Sequence, residues 1–382
     1  MTNKNLMIIA GEISGDLLGA SLITELRKLD PLINIYGIGG DKMQAAGMHL
    51  AYHINRMAFL GFAEVVKHIP FIRKVQKELL QIVKREKIKT VVLIDYPGFN
   101  LSIAKKLKAL NVKIVYYVSP QIWAWGGGRI SKIKKLVNKM LVVFPFEEKL
   151  YGDHNVDVEF VGHPILERLN EHEIIAKEKF FDKYGLEKNK EILLILPGSR
   201  EHEVKHIFPE AVKAAVKLAK EFDLQAVTAC SSNIDKNIFS RISDVKDFII
   251  IKDDTYNLLK HSKLGIVKSG TSTLEAGLFE LPMVIVYKTS RMTYLIGKSL
   301  IKVDNIGMAN IISGEKVVPE LIQKDVTENC IYEECKKILS DKSLYDSIKK
   351  KLGQIKQKLG TQGASARAAA SIYKVMNETQ KN

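Results

Sequence analysis

The sequence predicts an α/β protein of two halves, each a parallel sheet of strands alternating with helices. Three observations predict it. Short apolar runs of strand length recur along the chain, and many lead through a turn into a stretch with helical apolar spacing. The 382 residues are enough for two domains with ample cores. Residues 264–290, LGIVKSGTSTLEAGLFELPMVIVYKTS, hold one complete unit of the pattern. There, Leu264–Val267 reads as a strand that Ser269 and Gly270 break, and Leu274, Leu278 and Phe279 form a helical face. Leu281–Pro282 stops the helix, and Met283–Tyr287 is the next strand. Gly270, Thr271, Ser272 and Thr273 then stand at a helix N-terminus, where free amides and hydroxyls receive a phosphate. Ser272 to Glu275 fits S/T-x-x-E. Glu275 therefore either closes a capping box on its own helix or accepts hydrogen bonds from a ribose diol, and the motif fits both.

From the N-terminus, Leu6–Ala10 reads as a strand, Gly11 to Asp16 as a turn, and Leu17–Leu29 as a helix. The turn lacks G-x-G-x-x-G, so neither a nicotinamide nor a flavin cofactor is expected. Asn34–Ile38 is a second strand. Residues 57–89 begin with an apolar cluster, 57–62. Val65, Val66, Ile69, Phe71, Ile72 and Val75 follow, interleaved with Lys67, Arg73, Lys74 and Lys77. Such a segment suits a membrane surface or a lipid groove, and equally a core helix with a solvated basic face.

Val91–Ile94 is a buried strand with Asp95 at its carboxyl end, where ligands of parallel sheets bind. Asp95 is thus a candidate general base, although Asp before Tyr-Pro-Gly also suits turn chemistry. After the strand Lys113–Val118 comes SPQIWAW, 119–125, with both tryptophans, then Gly126-Gly127-Gly128 and an acid-free basic run from Arg129. Met140–Phe144 and Val158–Val161 are further strands. Gly162-His163-Pro164 marks a crossover in which His163 is structural.

The second half repeats the pattern. The strand Glu191–Leu196 leads into Pro197-Gly198-Ser199-Arg200, where Arg200 either clamps a diphosphate or pairs with Glu203. Glu201–His206 and Pro209–Phe222 read as two helices, and Gln225–Ala229 and Phe248–Ile251 as strands. Asn305 to Asn310 is a polar turn. Lys-rich helices follow from Cys330, with breaks at Gly353, Gly360 and Gly363, and Ala364–Met376 is expected to pack back on the first half. The expected divisions are 1–164, 165–350 and 351–382, with polar loops of both halves facing a shared cleft.

The net charge of +15, denser over 1–164, suits anionic substrates or an anionic membrane face. No nucleic-acid signature accompanies it, so nucleic acid is not an expected partner. No apolar run is long enough to span a bilayer and no signal peptide is legible, so a cytoplasmic protein is expected. The three cysteines form neither a metal-ligand nor a redox pattern.

Taken together, AGEISGD (10–16), FLGFAEVV (59–66), LIDYPGFN (93–100), YVSPQIWAW (117–125), FVGHP (160–164), LPGSR (196–200), SGTSTLE (269–275), MANII (308–312), VPELIQ (318–323) and GASARAA (363–369) resemble one family. It is the lipid-A-disaccharide synthases, inverting glycosyltransferases of the GT-B fold, in which two Rossmann-like domains face each other across a cleft. The stretches span nearly the whole chain in the family's order. The resemblance implies transfer of 2,3-diacylglucosamine from UDP-2,3-diacylglucosamine to the 6-hydroxyl of 2,3-diacylglucosamine 1-phosphate (lipid X). The products are the β-1′,6-linked disaccharide 1-phosphate and UDP.

By motif, Asp95 is the implied catalytic base. Gly198, Ser199, Arg200, Gly270, Thr271, Ser272 and Thr273 are implied around the diphosphate, Glu275 at the ribose, and Asn310 in the donor cleft. Ser14, Gly15, Asp16, Trp123, Trp125 and Arg129 are implied on the acceptor side. The resemblance implies no cofactor and no metal, peripheral contact with the cytoplasmic leaflet of the inner membrane through the surface around 57–89, and it allows a homodimer. The sequence departs from the family where Gly126-Gly127-Gly128 follows Trp125 in place of a basic residue, leaving Arg129 as the next cation.

Overall fold

The computed structural model describes residues 4–57, 68–120, 128–290 and 305–380. Its chain divides into two compact units, Met1–Glu167 with Leu359–Asn382, and Arg168–Lys358.

The first unit is built on a seven-stranded parallel sheet of order β3-β2-β1-β4-β5-β6-β7. The strands are β1 Asn5–Ala10, β2 Asn34–Gly39, β3 His49–His53, β4 Thr90–Ile94, β5 Lys113–Tyr117, β6 Lys139–Val142 and β7 Val158–Phe160. Its helices are α1 Ile13–Leu29, α2 Asp41–Ala45, α3 Ile69–Arg85, α4 Pro97–Lys108, α5 Gly128–Leu136 and α6 Pro145–Gly152. A parallel sheet is covered on both faces, so its strands read as continuous apolar runs: every residue of β1 and β4 is buried. On one face Met7, Ile9 and Leu93 pack with Val75, Leu79 and Val83 of α3 and with Ile103 and Leu107 of α4. The apolar side of α3 is thus turned to the core and its basic side to solvent, with Ile69 at its start exposed. Residues 58–67, which hold most of the apolar cluster, lie outside the described residues.

The C-terminal helix, Ala364–Gln380, packs on α1, β4 and β5. Arg367 locks its start. The guanidinium donates to the carbonyls of Val161 (2.8 Å), Thr361 (2.7 Å) and Gln362 (2.7 Å). Ser365 adds its amide and hydroxyl to Glu167. His163 is structural: its Nδ1 accepts from the Ile165 amide at 3.1 Å and its ring lies 5.0 Å from Phe144.

α7, Ile165–Glu171, leads into the second unit. Its six-stranded parallel sheet has the order β10-β9-β8-β11-β12-β13. The strands are β8 Glu191–Leu196, β9 Leu224–Cys230, β10 Ile249–Lys252, β11 Ser262–Lys268, β12 Met283–Tyr287 and β13 Glu320–Ile322. The helices are α8 Lys177–Tyr184, α9 Glu201–Glu221, α10 Asn237–Ile242, α11 Thr255–His261, α12 Thr271–Leu278, α13 Met308–Ser313, α14 Glu328–Ser340, α15 Lys342–Gly353 and α16 Ile355–Lys358.

Three local expectations are corrected. The two helices expected at 201–206 and 209–222 are one, α9, running through Pro209. Pro209 removes a single i→i−4 hydrogen bond. The continuous buried face of Val204, Ile207, Phe208, Ala211, Val212 and Ala215 outweighs that loss. The short strands β3 and β13 were not expected: both are edge strands, and His49, His53 and Glu320 interrupt any apolar run. α12 starts at Thr271 with Gly270 as its N-cap and no side-chain cap, so Ser272 and Glu275 do not form a capping box.

Candidate functional site

In an open parallel sheet, ligands bind beyond the carboxyl ends of the strands where the strand order reverses. In the first unit that place is between β1 and β4, and in the second between β8 and β11. Ser14, Gly15, Asp16 and Asp95 stand at the first crossing, and Gly198, Ser199, Arg200 and Gly270–Thr273 at the second.

Asp95 follows β4 directly. Its φ is 44° and that of Tyr96 is 45°. Two consecutive non-glycine residues in the left-handed region cost energy that the surroundings must supply. The surroundings do so with hydrogen bonds to the turn. The Tyr116 hydroxyl donates to the Asp95 carbonyl at 2.6 Å, Asn100 Nδ2 donates to the same oxygen at 2.7 Å, and the Asp95 amide donates to Tyr117 O at 3.1 Å. The Tyr96 ring lies over Gly11, where a Cβ would come within 2.2 Å of it. The carboxyl of Asp95 is pushed up to about 6, chiefly by burial and further by the negative charge of Glu12, while the Tyr96 amide pulls it back. A fixed backbone and a carboxyl close to neutrality are what a general base needs. Glu12 was not singled out from sequence. It occupies the N-cap position of α1, so its only sequence signal is membership of the Gly11–Asp16 turn.

Ser14, Gly15 and Asp16 form the first turn of α1. Ser14 is exposed, beside Ile13, which is 66% exposed. Gly15 is buried, and a Cβ there would meet Ala10 Cβ at 3.1 Å. Asp16 is also buried and turns away from solvent. Its carboxylate accepts from the amides of Gly40 (2.6 Å), Lys42 (3.1 Å) and Met43 (3.0 Å), satisfying the N-terminus of α2. Replacing Asp16 with Ala is therefore expected to lower stability by about 1–3 kcal/mol in urea unfolding, because buried amides lose their acceptor. UDP affinity should be unchanged by that substitution. Trp123 and Trp125 lie outside the described residues, and so does the Arg129 side chain.

At the second crossing, the loop after β8 carries Gly198, Ser199 and Arg200, and the loop after β11 carries Ser269 and Gly270. Gly198 has φ +125° and Gly270 φ +149°, backbone conformations that side chains rarely adopt. A Cβ at Gly198 would also meet Glu203 Oε2 at 2.6 Å. Glu203 is buried and joins the two loops. Its Oε2 accepts from the Ser199 amide at 3.1 Å and the Arg200 amide at 3.3 Å, and its Oε1 pairs with Lys268 at 2.7 Å. Burial opposes the charge on Glu203, but Lys268 and the Ser199 amide more than offset it, so the carboxyl sits below its ordinary value. The expected alternative of an Arg200–Glu203 side-chain pair is thus replaced by Lys268–Glu203. The Arg200 side chain is exposed and has no ion-pair partner among the described residues.

Thr271 and Ser272 present the first turn of α12, with Thr271 exposed. Thr273 is fully buried, its hydroxyl donating to Gly270 O at 2.8 Å and accepting from the Met308 amide at 3.0 Å, which brings α13 to the start of α12. Asn310, on α13, is also fully buried. Its Nδ2 donates to Val318 O and Glu320 Oε1, and its Oδ1 accepts from the amides of Val317 and Val318. All four hydrogen-bonding positions of that side chain are filled within the protein. Glu275 is 14% exposed and accepts from Arg168 Nη2 at 3.0 Å and the Tyr256 hydroxyl at 3.2 Å. Neither Arg168 nor Tyr256 was expected from sequence, and at 107 residues' separation Arg168 leaves no local signal.

Two doubly wound parallel sheets, each with polar loops at its order reversal, place the chain in the GT-B fold class. A crystal structure of UDP-GlcNAc 2-epimerase from Neisseria meningitidis bound to UDP-GlcNAc matches with a TM-score of 0.66 at 13% identity, over 97% of this chain and 100% of that one. The glycotransferase of kitacinnamycin matches with a TM-score of 0.65 at 13% identity, over 98% and 99%. At such identities the likeness is one of fold. Sequence narrows the class: the family described as lipid-A-disaccharide synthetase matches residues 6–375. The lipid-A-disaccharide synthase of Geobacter sulfurreducens is 37% identical over 380 residues, 99% of this chain and 98% of the relative. That of Syntrophus aciditrophicus is 38% identical over 383 residues, 99% and 100%. The chain belongs to the lipid-A-disaccharide synthase family. Among the described residues, no helix is long and apolar enough to cross a membrane.

Proposed function

We propose that this chain transfers 2,3-diacylglucosamine from UDP-2,3-diacylglucosamine to the 6-hydroxyl of 2,3-diacylglucosamine 1-phosphate. The anomeric carbon is inverted, and the β-1′,6-linked disaccharide 1-phosphate and UDP are released. Asp95 takes the hydroxyl proton as the new carbon–oxygen bond forms and the bond from the anomeric carbon to the diphosphate breaks. The negative charge that grows on UDP is met by the Arg200 guanidinium, the first-turn amides of α12 and the hydroxyls of Ser199, Thr271 and Ser272. Gly198 and Gly270 let the two loop backbones approach the diphosphate. Thr273 and Asn310 act indirectly, by holding α12 and α13 together. Glu275 holds the ribose.

On the acceptor side, Ser14 and Gly15 border the substrate, Asp16 braces the turn through α2, and Trp123, Trp125 and Arg129 contact the acyl chains and the 1-phosphate. The basic and apolar surface around 57–89 rests against the cytoplasmic leaflet of the inner membrane, and the chain works as a monomer or a homodimer. The observation that carries the reading is Asp95: a half-buried residue whose carboxyl is pushed up to about 6, fixed by a strained turn at the β1/β4 crossing of a chain in this family. The test is incubation of the purified protein with both acylated substrates, following UDP by coupled assay and lipid by thin-layer chromatography. Disaccharide and UDP in equal amounts support the reading. UDP without disaccharide assigns another acceptor, and neither product from folded protein refutes the transfer.

A further inference from the structure

The two carboxylate oxygens of Glu275 are used unequally. Oε1 accepts from Arg168 Nη2 at 3.0 Å and from the Tyr256 hydroxyl at 3.2 Å. Oε2 has no hydrogen-bond partner among the described residues. Tyr256 is itself fixed, edge-on to His172 at 5.0 Å and tilted against Phe279 at 5.8 Å. Burial, and after it the Glu275 charge, pushes the Tyr256 hydroxyl up to about 12, so it stays a donor at neutral pH. Burial also favours the protonated form of Glu275, and Arg168 and Tyr256 are what oppose it. A protonated carboxyl suits a hydroxyl donor poorly, because one of its oxygens becomes a donor.

We propose that Arg168 and Tyr256 are positioning residues that set the sugar selectivity of the nucleotide site: by holding Oε1 they fix the Glu275 carboxylate so that Oε2 meets a ribose hydroxyl. The proposal rests on the reading of Glu275 as the residue that holds the ribose. It makes selectivity for ribonucleotides over nucleotides lacking the diol depend on side chains that themselves touch no sugar.

The test is calorimetric titration of the full chain with UDP and with 2′,3′-dideoxy-UDP, at a fixed pH near 8. The unsubstituted protein is expected to prefer UDP by roughly tenfold or more, the worth of a hydrogen bond to a charged group. Glu275→Gln should remove most of that ratio. Arg168→Met and Tyr256→Phe should each shrink it several-fold while leaving dideoxy-UDP affinity unchanged, and Arg168→Lys should recover part of it. Adding Arg168→Met to Glu275→Gln should change the ratio no further. Loss of the ratio in Glu275→Gln with its retention in both Arg168→Met and Tyr256→Phe would overturn the positioning role and leave the ribose reading standing. Retention in Glu275→Gln would overturn both. Should Arg168→Met not fold, Tyr256→Phe, which removes one oxygen atom, decides the question alone.

Discussion

Asp95→Asn is expected to lower disaccharide formation by roughly 100- to 10,000-fold, the usual contribution of a positioned general base. UDP affinity should stay within about twofold, since the proposed diphosphate groups all belong to the second unit. The same substitution should stabilise the fold. An exposed aspartate titrates near about 3.9, whereas Asp95 is pushed up to about 6. Between those values the folded state holds a proton that the unfolded state has lost, so native stability falls as pH rises through the interval. Above about pH 6 the whole cost is present, and below about pH 4 none of it is. At pH near 8, Asp95→Asn should therefore be more stable by about 1–3 kcal/mol, with the gain vanishing in acid. Thermal melts across pH check this. A site residue whose removal stabilises the protein is one held for chemistry at a cost to the fold. A full rate in Asp95→Asn, or a loss of UDP binding, would remove Asp95 from the role of base.

Arg200→Ala is expected to weaken UDP binding roughly 10- to 100-fold, because a charge-assisted hydrogen bond to phosphate contributes about 1.5–3 kcal/mol. Turnover should fall as well, since charge on the leaving diphosphate grows in the transition state. The expectation follows from where the guanidinium is not engaged. Of the two acids that follow it, Glu201 is paired with Lys205 at 2.6 Å, and Glu203 with Lys268 at 2.7 Å while its other oxygen accepts from the loop amides. Arg200 therefore keeps its charge for a ligand. UDP affinity in Arg200→Ala should also depend less on salt than in the unsubstituted chain. Titrations at low and high ionic strength measure both effects. Stability should scarcely change, as an exposed side chain without an ion-pair partner contributes little.

Much of this was legible because parallel strands buried on both faces write themselves as apolar runs. β1, β4, β8 and β12 were all placed within a residue or so. The edge strands β3 and β13 escaped because polar residues interrupt them. Asp95 could be picked out by position alone, as the first residue after a buried strand. What tunes it could not: Glu12 is distant in sequence, and the left-handed turn at Asp95 and Tyr96 has no glycine to announce it. The sequence is equally silent on which polar side chains are occupied. Asp16 and Asn310 look like site residues in their motifs, yet their hydrogen bonds go to α2 and to the segment 317–320. For Glu275 the motif fits two local readings; the start of α12 at Thr271 excludes the capping box, and the partner that engages the carboxylate, Arg168, lies 107 residues away.

The most direct test of the account is the pH dependence of kcat/KM for disaccharide formation, measured from about pH 5 to 9 on the unsubstituted chain and on Glu12→Gln. Asp95 must be ionised to accept the hydroxyl proton, so the rate should fall about tenfold per pH unit below an apparent pKa of about 6. Removing the neighbouring charge in Glu12→Gln should move that limb to lower pH. A rate that stays flat down to pH 5 in the unsubstituted chain, or a limb that Glu12→Gln leaves in place, would contradict it.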